Sequence, residues 1–219
     1  MAPDFEYFLR LRPITEFSHT LGGLFWFCVP AGLFVLALWE FMAREPVRHL
    51  LALPPAAPTQ RDGAWWVKAA VAVLLGAITH LAWDGFTHGG YWGADLMPWL
   101  REPAFIVMRR TIPWYNLLQH VSTLLGGLVV TGWLAIQLQR EGAWALLARP
   151  GWRWGAWLFL AVVSLAAGWL NVGHTGVPAG YWVAQVWLGR VAVGAMVAFA
   201  LLLLVYATAW HGTQRRRTR

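Results

Sequence analysis

Two histidines and an aspartate lie at four-residue intervals near the end of a long apolar run. They are His80, Asp84 and His88, within the stretch ITHLAWDGFTHGG that covers residues 78–90. Residues four apart share one face of an α-helix, so His80 and Asp84 can reach a common ion. The glycines around His88 interrupt a helix and leave this imidazole free to fold back. Imidazole nitrogen and carboxylate oxygen are the usual ligands of catalytic zinc and related divalent metals.

A catalytic metal site needs about three protein ligands and an open position for a water molecule whose pKa the metal lowers. Further ligands must therefore come from other parts of the chain. Asp4 follows a proline near the N-terminus, His19 precedes the first apolar run, and His120 begins the third. His120 is predicted to be a ligand or a general base that Gln119 orients, and Glu16 is a spare candidate for the general base.

The elements that must position these residues are apolar helices. The chain is 58% apolar and only 12% charged, which is far from the composition of a soluble domain. Several apolar runs reach the roughly 18–20 residues that cross a bilayer core of about 30 Å. The sequence predicts an all-α, polytopic membrane helix bundle that forms one domain over residues 1–219. Its five transmembrane segments are expected at residues 21–41, 65–84, 115–138, 154–171 and 189–210.

Charge and cysteine content narrow the possible partners. The net charge is +7, but the basic residues are dispersed between apolar runs, which is typical of membrane flanks and not of a nucleic-acid site. The single cysteine, Cys28, excludes an internal disulfide and a Cys-rich zinc site. Many of the tryptophans lie at the ends of apolar runs, where they would anchor the protein in the headgroup layer. The predicted partner is therefore the lipid bilayer.

Lysine and arginine also indicate an orientation, because cytoplasmic loops carry an excess of them. The excess favours a cytoplasmic C-terminus and, with five spans, an N-terminus outside. Alternation of the spans then carries five histidines to one membrane face: His19, His80, His88, His120 and His174. Acidic residues share that face: Asp4, Glu6, Glu16, Asp84, Asp95 and Glu102. Only His49 and His211 fall on the opposite face. Ionisable groups near membrane depth are costly, so mutual ligation of a metal is a favourable arrangement for this cluster.

Four stretches of the chain carry a family resemblance. These stretches are, in order, MAPDFEYFLRLRP, FSHTLGGL, THLAWDGFTHGGYWG and LLQHVSTLLGGL. They resemble an uncharacterised bacterial family of multi-helix membrane proteins, domain of unknown function family 4184. The pattern is also similar to bacterial inner-membrane metal-dependent hydrolases and, more distantly, to zinc-dependent phospholipase C. The resemblance implies Asp4, His19, His80 and Asp84 as metal ligands, with His88 and His120 as members of the site.

The chain departs from the resembled family at its beginning. Members usually begin earlier, with a segment that carries a further histidine before a Gly-Ser-Met-Ala-Pro-Asp junction, whereas this sequence starts at the methionine of that junction. A restored segment would raise the number of spans to six and place both termini in the cytoplasm. It would also supply another ligand, so we expect an incomplete set of metal ligands in the chain as given.

The leading hypothesis is a hydrolase of the bacterial inner membrane. A divalent metal, zinc by preference, would activate water near the outer face to attack a phosphoester or other ester, such as that of a lipid headgroup. Its metal ligands would be Asp4, His19, His80, Asp84 and His88, and its catalytic residues His120, Asp84 and Glu16. One alternative is a non-enzymatic membrane protein whose His/Asp cluster is a structural network or a proton or ion relay. Another is a haem or electron carrier with His80 and His120 as axial ligands.

Overall fold

The computed structural model describes residues 2–107, 110–142, 151–172 and 183–217. Within these ranges the chain is mostly helical, as the sequence predicts. The helices are α1 (Phe5–Arg10), α2 (Leu21–Leu50), α3 (Gly63–Thr87), α4 (Trp92–Leu96), α5 (Trp114–Arg140), α6 (Trp152–Leu170) and α7 (Val183–Arg217). A single 3₁₀ turn (Pro98–Arg101) and two strands, β1 (Pro103–Val107) and β2 (Arg110–Pro113), lie between α4 and α5.

Five of these helices are long and apolar enough to cross a membrane, which confirms the predicted fold class. The candidate spans are Leu21–Leu50, Gly63–Thr87, Trp114–Arg140, Trp152–Leu170 and Val186–Arg216. Each contains most of one predicted segment and generally extends beyond it, because turns of helix continue into the polar flanks. The protein is therefore an integral membrane protein with five candidate spans in its described residues.

Helix α2 continues well past its predicted end at residue 41. Two π-helical turns, Leu24–Cys28 and Trp39–Ala43, interrupt its α-helical geometry. Each comes shortly before a proline, and the wider turn accommodates a residue that lacks a backbone N–H. Pro46 cannot donate to the carbonyl of Met42, and the Nε2–H of His211 donates to that carbonyl instead, at 3.0 Å. Neighbouring helices commonly satisfy freed carbonyls in membrane proteins in this way.

The segment between α3 and α5, which lies between two of the predicted transmembrane segments, forms a hairpin that the sequence did not predict. Strands β1 and β2 pair antiparallel, with Ile106 opposite Thr111 and Val107 opposite Arg110. Phenylalanine, isoleucine, valine and threonine favour extended backbone, which accounts for a hairpin here. The short apolar run was hidden among the glycines and prolines that indicated a loop.

Contacts between Cα atoms divide the chain into two compact units, and the boundary between them falls inside α3. The first unit comprises Met1–Leu74 and Glu141–Arg219. Within it, α6 and α7 make the most extensive helix contact. A Cβ atom added to Gly168 would collide with the backbone carbonyl of Val191, and one added to Gly194 would lie 2.9 Å from the Cβ atom of Asn171. Small residues let helices approach closely in lipid, and these two glycines do so here.

The second unit, Leu75–Arg140, contains the end of α3, the short elements and α5. The chain reverses sharply after α3. A Cβ atom on Gly93 would lie 2.5 Å from the backbone oxygen of Gly85, and one on Gly89 would lie 2.7 Å from the ring of Tyr115. These close approaches hold the residues around His88 against the beginning of α5.

Candidate functional site

Asp4 and His19 form the first pair of candidate ligands, and both belong to the first unit. Asp4 is the residue before α1, and His19 lies two residues before α2. Each side chain is partly buried, and each offers one ligand atom within 4.8 Å of the other. The sequence interpretation selected both residues, and the fold brings them together although fourteen positions separate them in the chain.

The loop that carries His19 is organised by a buried carboxylate. Oε2 of Glu6 accepts hydrogen bonds from the backbone N–H groups of Glu16, Phe17 and Ser18, at 3.1, 3.2 and 2.9 Å. Oε1 of Glu6 accepts a bond of 2.8 Å from Nε of Arg10, one turn further along α1. Glu6 is only 5% exposed. Its position on α1 therefore determines the backbone path just before His19.

These bonds also determine the ionisation of Glu6. Burial alone would raise the pKa of a carboxyl group, because it penalises the charged form. Here the hydrogen bonds from the Ser18 backbone and side chain, the Glu16 backbone and the Arg10 side chain outweigh burial and lower the pKa of Glu6 to about 2. Glu6 is therefore a carboxylate at neutral pH, and it can only accept hydrogen bonds.

Ser18 connects this carboxylate to the imidazole of His19. The Oγ atom of Ser18 lies 3.1 Å from Nδ1 of His19. The backbone N–H of Ser18 also donates to Glu6, at 2.9 Å. Ser18 has no exposed surface, and its carbonyl accepts a 3.5 Å contact from Sγ of Cys28 inside α2. The hydroxyl therefore contacts the imidazole without access to water.

His80 and Asp84 form the second pair, near the end of α3 in the second unit. Nε2 of His80 lies 3.2 Å from Oδ2 of Asp84, as the spacing of four residues predicts. Two ligands of a tetrahedral zinc ion with bonds of about 2.0–2.1 Å lie roughly 3.3 Å apart, so this separation suits a shared ion. It equally suits a hydrogen-bonded His–Asp pair.

His88 is held by several polar groups of the second unit. Its Nδ1 atom lies 3.3 Å from the backbone oxygen of Asp84 and 3.9 Å from Oδ1 of the same residue. Its Nε2 atom lies 3.2 Å from the amide nitrogen of Gln119 on α5. The amide hydrogen of Gln119 thus uses the lone pair through which His88 would bind a metal. Gln119, which the sequence predicted would orient His120, hydrogen-bonds His88.

The remaining candidates differ in their surroundings. His120 is an exposed residue of α5. Glu16 is also exposed, and both of its carboxylate oxygens bond to the guanidinium of Arg10, at 3.0 and 2.9 Å. His174 lies outside the described residues, so its expected place on the His-rich face stays a prediction.

The two histidines assigned to the opposite face have structural partners. Nδ1 of His49 lies 3.0 Å from the hydroxyl of Tyr206, and its backbone oxygen accepts a 2.9 Å bond from Nε of Arg153. His211 donates to the Met42 carbonyl described above. These three contacts link α2 to α6 or α7 within the first unit. We therefore assign His49 and His211 to helix packing.

The chemistry of the donor set suits a divalent cation. The described residues contain two possible His/Asp ligand pairs, Asp4 with His19 and His80 with Asp84, whose side chains are partly buried. Neutral nitrogen and anionic oxygen donors of this kind bind zinc, and they also bind other divalent first-row metals. Histidine ligands of zinc usually have an outer partner on the other ring nitrogen, and the Ser18 hydroxyl lies 3.1 Å from Nδ1 of His19.

Sequence reasoning missed the roles of Glu6 and Ser18. Glu6 was placed among the acidic residues of the His-rich face, and Ser18 was given no role. The i, i+4 spacing of Glu6 and Arg10 is a visible signal of an ion pair on α1. No local pattern predicts that the same carboxylate also accepts three backbone N–H groups from a loop ten to twelve residues away.

Comparison with known proteins establishes the family. No curated protein and no solved structure matches the chain. The model of the family described as a domain of unknown function, DUF4184, matches residues 1–208, which is nearly the whole chain. This match confirms the resemblance to domain of unknown function family 4184, and the similarity to metal-dependent hydrolases stays a prediction. The chain is a member of the DUF4184 family of proteins.

Proposed function

We propose that this protein is a metal-dependent hydrolase of the bacterial inner membrane, with a metal centre at the outer face. The observation that carries the proposal is the presence of two ligand pairs, Asp4 with His19 and His80 with Asp84. Nε2 of His80 and Oδ2 of Asp84 lie 3.2 Å apart, which suits a shared ion. The ligand atoms of Asp4 and His19 lie within 4.8 Å of each other. Neither pair alone supplies the three or more ligands of a catalytic metal site, so each is incomplete by itself.

The ion in this proposal is zinc, and its proposed ligands are Asp4, His19, His80 and Asp84, of which about three would bind it and leave a position open for water. With five spans, alternation across the membrane carries the N-terminal segment and the end of α3 to the same face. When bound, the ion would lower the pKa of a coordinated water and supply a nucleophile at neutral pH. His88 is a further proposed ligand, and it would have to release Gln119 to bind the ion through Nε2.

The residues of the chain would then bind and orient a phosphoester or other ester. His120, at the beginning of α5, would accept the proton of the attacking water at a ring nitrogen. Glu16 is the spare general base, and it would have to leave Arg10 to act. A site at the membrane surface favours substrates that lie there, so lipid headgroups are the proposed substrate class.

Metal content tests this proposal directly. Detergent-purified protein would be washed with chelator, reloaded with zinc and measured by mass spectrometry, in parallel with a His80→Ala, Asp84→Asn double variant. His211→Gln is the matched control, because its amide can still donate to the Met42 carbonyl. We expect near-stoichiometric zinc in the wild type and the control, and loss of zinc in the double variant. Absence of retained metal in all three would refute the metal centre.

Activity is tested separately on the loaded protein. Chromogenic phosphomonoesters, phosphodiesters and carboxylic esters would be compared with phospholipid vesicles. Hydrolysis that requires zinc and is lost in the double variant supports the proposal. A zinc-binding protein that cleaves none of these substrates would remove the hydrolase assignment and leave a metal site of another function.

A polar network is the second candidate function, and one observation favours it. His88 bonds the backbone oxygen of Asp84 and the side-chain amide of Gln119 within the second unit, and Nε2 of His80 lies 3.2 Å from the Asp84 carboxylate. Such a network satisfies costly polar groups near membrane depth without a metal. It would stabilise the turn after α3, or pass protons along the imidazoles.

A further inference from the structure

We propose that a groove between α2, α6 and α7 binds one anionic phospholipid, with the lipid phosphate at Arg153 and an acyl chain along the groove. The lipid would be a structural component of the protein, bound and not cleaved. The inference goes beyond the proposed function, because it involves neither a metal ligand nor ester chemistry. All of the residues that carry it belong to the first unit.

The groove has apolar walls and is open along its rim. Its volume is about 180 Å³. Leu50, at the end of α2, and Leu160 of α6 are buried and form its floor. Phe159 of α6 and Val205 of α7 are exposed at its rim. Because the three helices are candidate membrane spans, the exposed rim faces the acyl chains of a bilayer.

The lining of the groove suits hydrocarbon and does not suit water. A buried water molecule needs two to four polar partners. Among the described residues that line the groove, the polar side-chain atom is the hydroxyl of Tyr206, and it already lies 3.0 Å from Nδ1 of His49. An acyl chain of the surrounding bilayer is therefore the occupant that the lining favours.

A polar junction lies at one end of the groove. Nε of Arg153 donates to the backbone oxygen of His49 at 2.9 Å, and His49 directly precedes Leu50 in the floor. The ring of His49 contacts the Tyr206 hydroxyl on α7. Arg153 also lies one helical turn before Ala156, another lining residue. These bonds join the three helices and fix a guanidinium beside the groove.

The charge of Arg153 is complementary to a phosphate. Arg48, near the end of α2, forms an ion pair with Glu141 at 2.5 Å. Within the described part of the chain, Arg153 instead contacts a backbone oxygen and the ring of Trp152, and it has no carboxylate partner. Its Nε atom is used by the backbone, so the two terminal nitrogens can donate to the oxygens of a phosphate group.

The depth of Arg153 in the membrane also suits a phosphate. The exposed rings of Trp152 and Trp154 flank it at the beginning of a candidate span, and indole rings favour the headgroup layer. Leu160 lies about 10 Å further along α6, at about 1.5 Å per residue, so the groove extends from this layer into the hydrocarbon. With the predicted cytoplasmic C-terminus, this end of α6 faces the cytoplasm, where anionic lipids attract basic residues.

The first test measures lipid binding by native mass spectrometry. Full-length protein in detergent with chelator would be titrated with phosphatidylglycerol or with phosphatidylcholine of the same acyl chains. We expect the wild type to retain one phosphatidylglycerol and to prefer it by about fivefold, as one lipid charge near an arginine typically gives. A wild type that retains no phosphatidylglycerol would overturn the inference, and a lipid-free dimer would assign the groove to a second copy of the chain.

A pair of charge variants separates the site from general attraction of anionic lipids. Arg153→Gln removes the charge-assisted bonds to the phosphate, and we expect phosphatidylglycerol affinity to fall about 10-fold or more. Arg216→Gln is the matched control, because it removes the same charge from an exposed position at the end of α7. We expect it to lower affinity by less than about fivefold. Equal losses in the two variants would overturn the site.

A pair of volume variants tests the place of the acyl chain. Ala156→Phe puts a ring into the groove, and we expect it to abolish retention of phosphatidylglycerol. Ala166→Phe adds the same ring at an exposed position of α6 outside the groove, and it should bind the lipid as the wild type does. Wild-type binding by Ala156→Phe would show that the acyl chain lies elsewhere.

Photo-crosslinking keeps the inference testable if Ala156→Phe does not fold. Phosphatidylglycerol with a diazirine near the glycerol end of one acyl chain would be bound to the wild type and irradiated. We expect the label on the rim residues Phe159 and Val205. A label spread over the exposed faces of all spans would overturn the inference. Because chelator is present throughout, none of these results depends on the proposed metal centre.

Discussion

The carboxylate of Glu6 accepts the backbone N–H of Ser18 at 2.9 Å, and it thereby joins the first helix of the protein to the loop that carries His19. The same oxygen accepts the N–H groups of Glu16 and Phe17. One side chain thus replaces the hydrogen bonds that water would give to three consecutive backbone groups. A candidate metal ligand, His19, follows this loop directly, so its position depends on a residue that would not bind the metal.

The ionisation of Glu6 predicts how stability depends on pH. Hydrogen bonds hold its pKa at about 2 in the folded protein, against an ordinary value of 4.5. Between these values the unfolded chain binds more protons than the folded one, so stability rises with pH. The contribution of Glu6 is complete above pH 4.5, and it is lost as pH falls towards 2.

Thermal unfolding in detergent across this pH window checks the prediction. We expect the wild type to lose stability steeply on acidification, and Glu6→Gln to be less stable near neutral pH with a shallower acid dependence. Glu16→Gln is the control, because the Glu16 side chain is 67% exposed. An equal pH dependence in the wild type and Glu6→Gln would contradict the assignment.

Two adjacent glycines at the start of α2 are expected to differ in how far substitution by alanine lowers stability. A Cβ atom on Gly23 would collide with the backbone carbonyl of Phe17, whereas the nearest atom to one on Gly22 is 3.9 Å away. Gly23→Ala must therefore displace the loop before His19, and we expect a loss of about 1–3 kcal/mol in stability, as overpacking typically gives. We also expect weaker zinc binding. Gly22→Ala should keep the stability and the zinc affinity of the wild type. A Gly23→Ala variant that is as stable as the wild type would contradict the prediction.

The helical part of the fold was predictable because its signal is long and repeated. Five apolar segments were each long enough to span a bilayer, and five helices occupy them. The hairpin of Pro103–Val107 with Arg110–Pro113 was not predicted. It is short, and it lies among glycines and prolines whose turn preference dominated the interpretation.

The candidate site was predictable where its members are local in sequence. The contact of His80 with Asp84 follows from helical spacing. Pairing of Gln119 with His88 does not, because it depends on how the chain reverses after α3. The support of His19 by Glu6 was also hidden, since it joins a helix to a loop through backbone groups that no side-chain pattern records.

The close contact between α6 and α7 predicts that replacing one of its glycines by alanine lowers the stability of the protein. A Cβ atom on Gly194 would lie 3.0 Å from Cα of Gly168, so the two helices touch through their backbones. We expect Gly194→Ala and Gly168→Ala each to cost about 1–3 kcal/mol through overpacking. Gly155, on the same helix as Gly168, has open space around an added Cβ. Gly155→Ala should therefore be neutral or stabilising in the same thermal unfolding measurement.

The last prediction separates the metal centre from the polar network. Asp84 is a ligand in the proposed metal site, whereas Gln119 only bonds His88 at 3.2 Å. If the site is a metal centre, loss of a ligand should cost more than loss of a residue that only orients a ligand, which lowers metal affinity by up to roughly 100-fold. Asp84→Asn should therefore lower zinc affinity by at least that factor, and Gln119→Leu should lower it little.

A polar network predicts a different result for the same two variants. Asp84→Asn would remove the carboxylate beside His80, and Gln119→Leu would remove the partner of His88 Nε2, each at a cost of about 1 kcal/mol. Asp84→Asn and Gln119→Leu would then destabilise the protein to a similar extent, and added zinc would change neither melting temperature. Thermal unfolding with and without zinc measures both outcomes in one experiment. Because a ligand that binds only the folded state stabilises it, a zinc-dependent rise in the wild type and Gln119→Leu, absent in Asp84→Asn, would favour the metal centre.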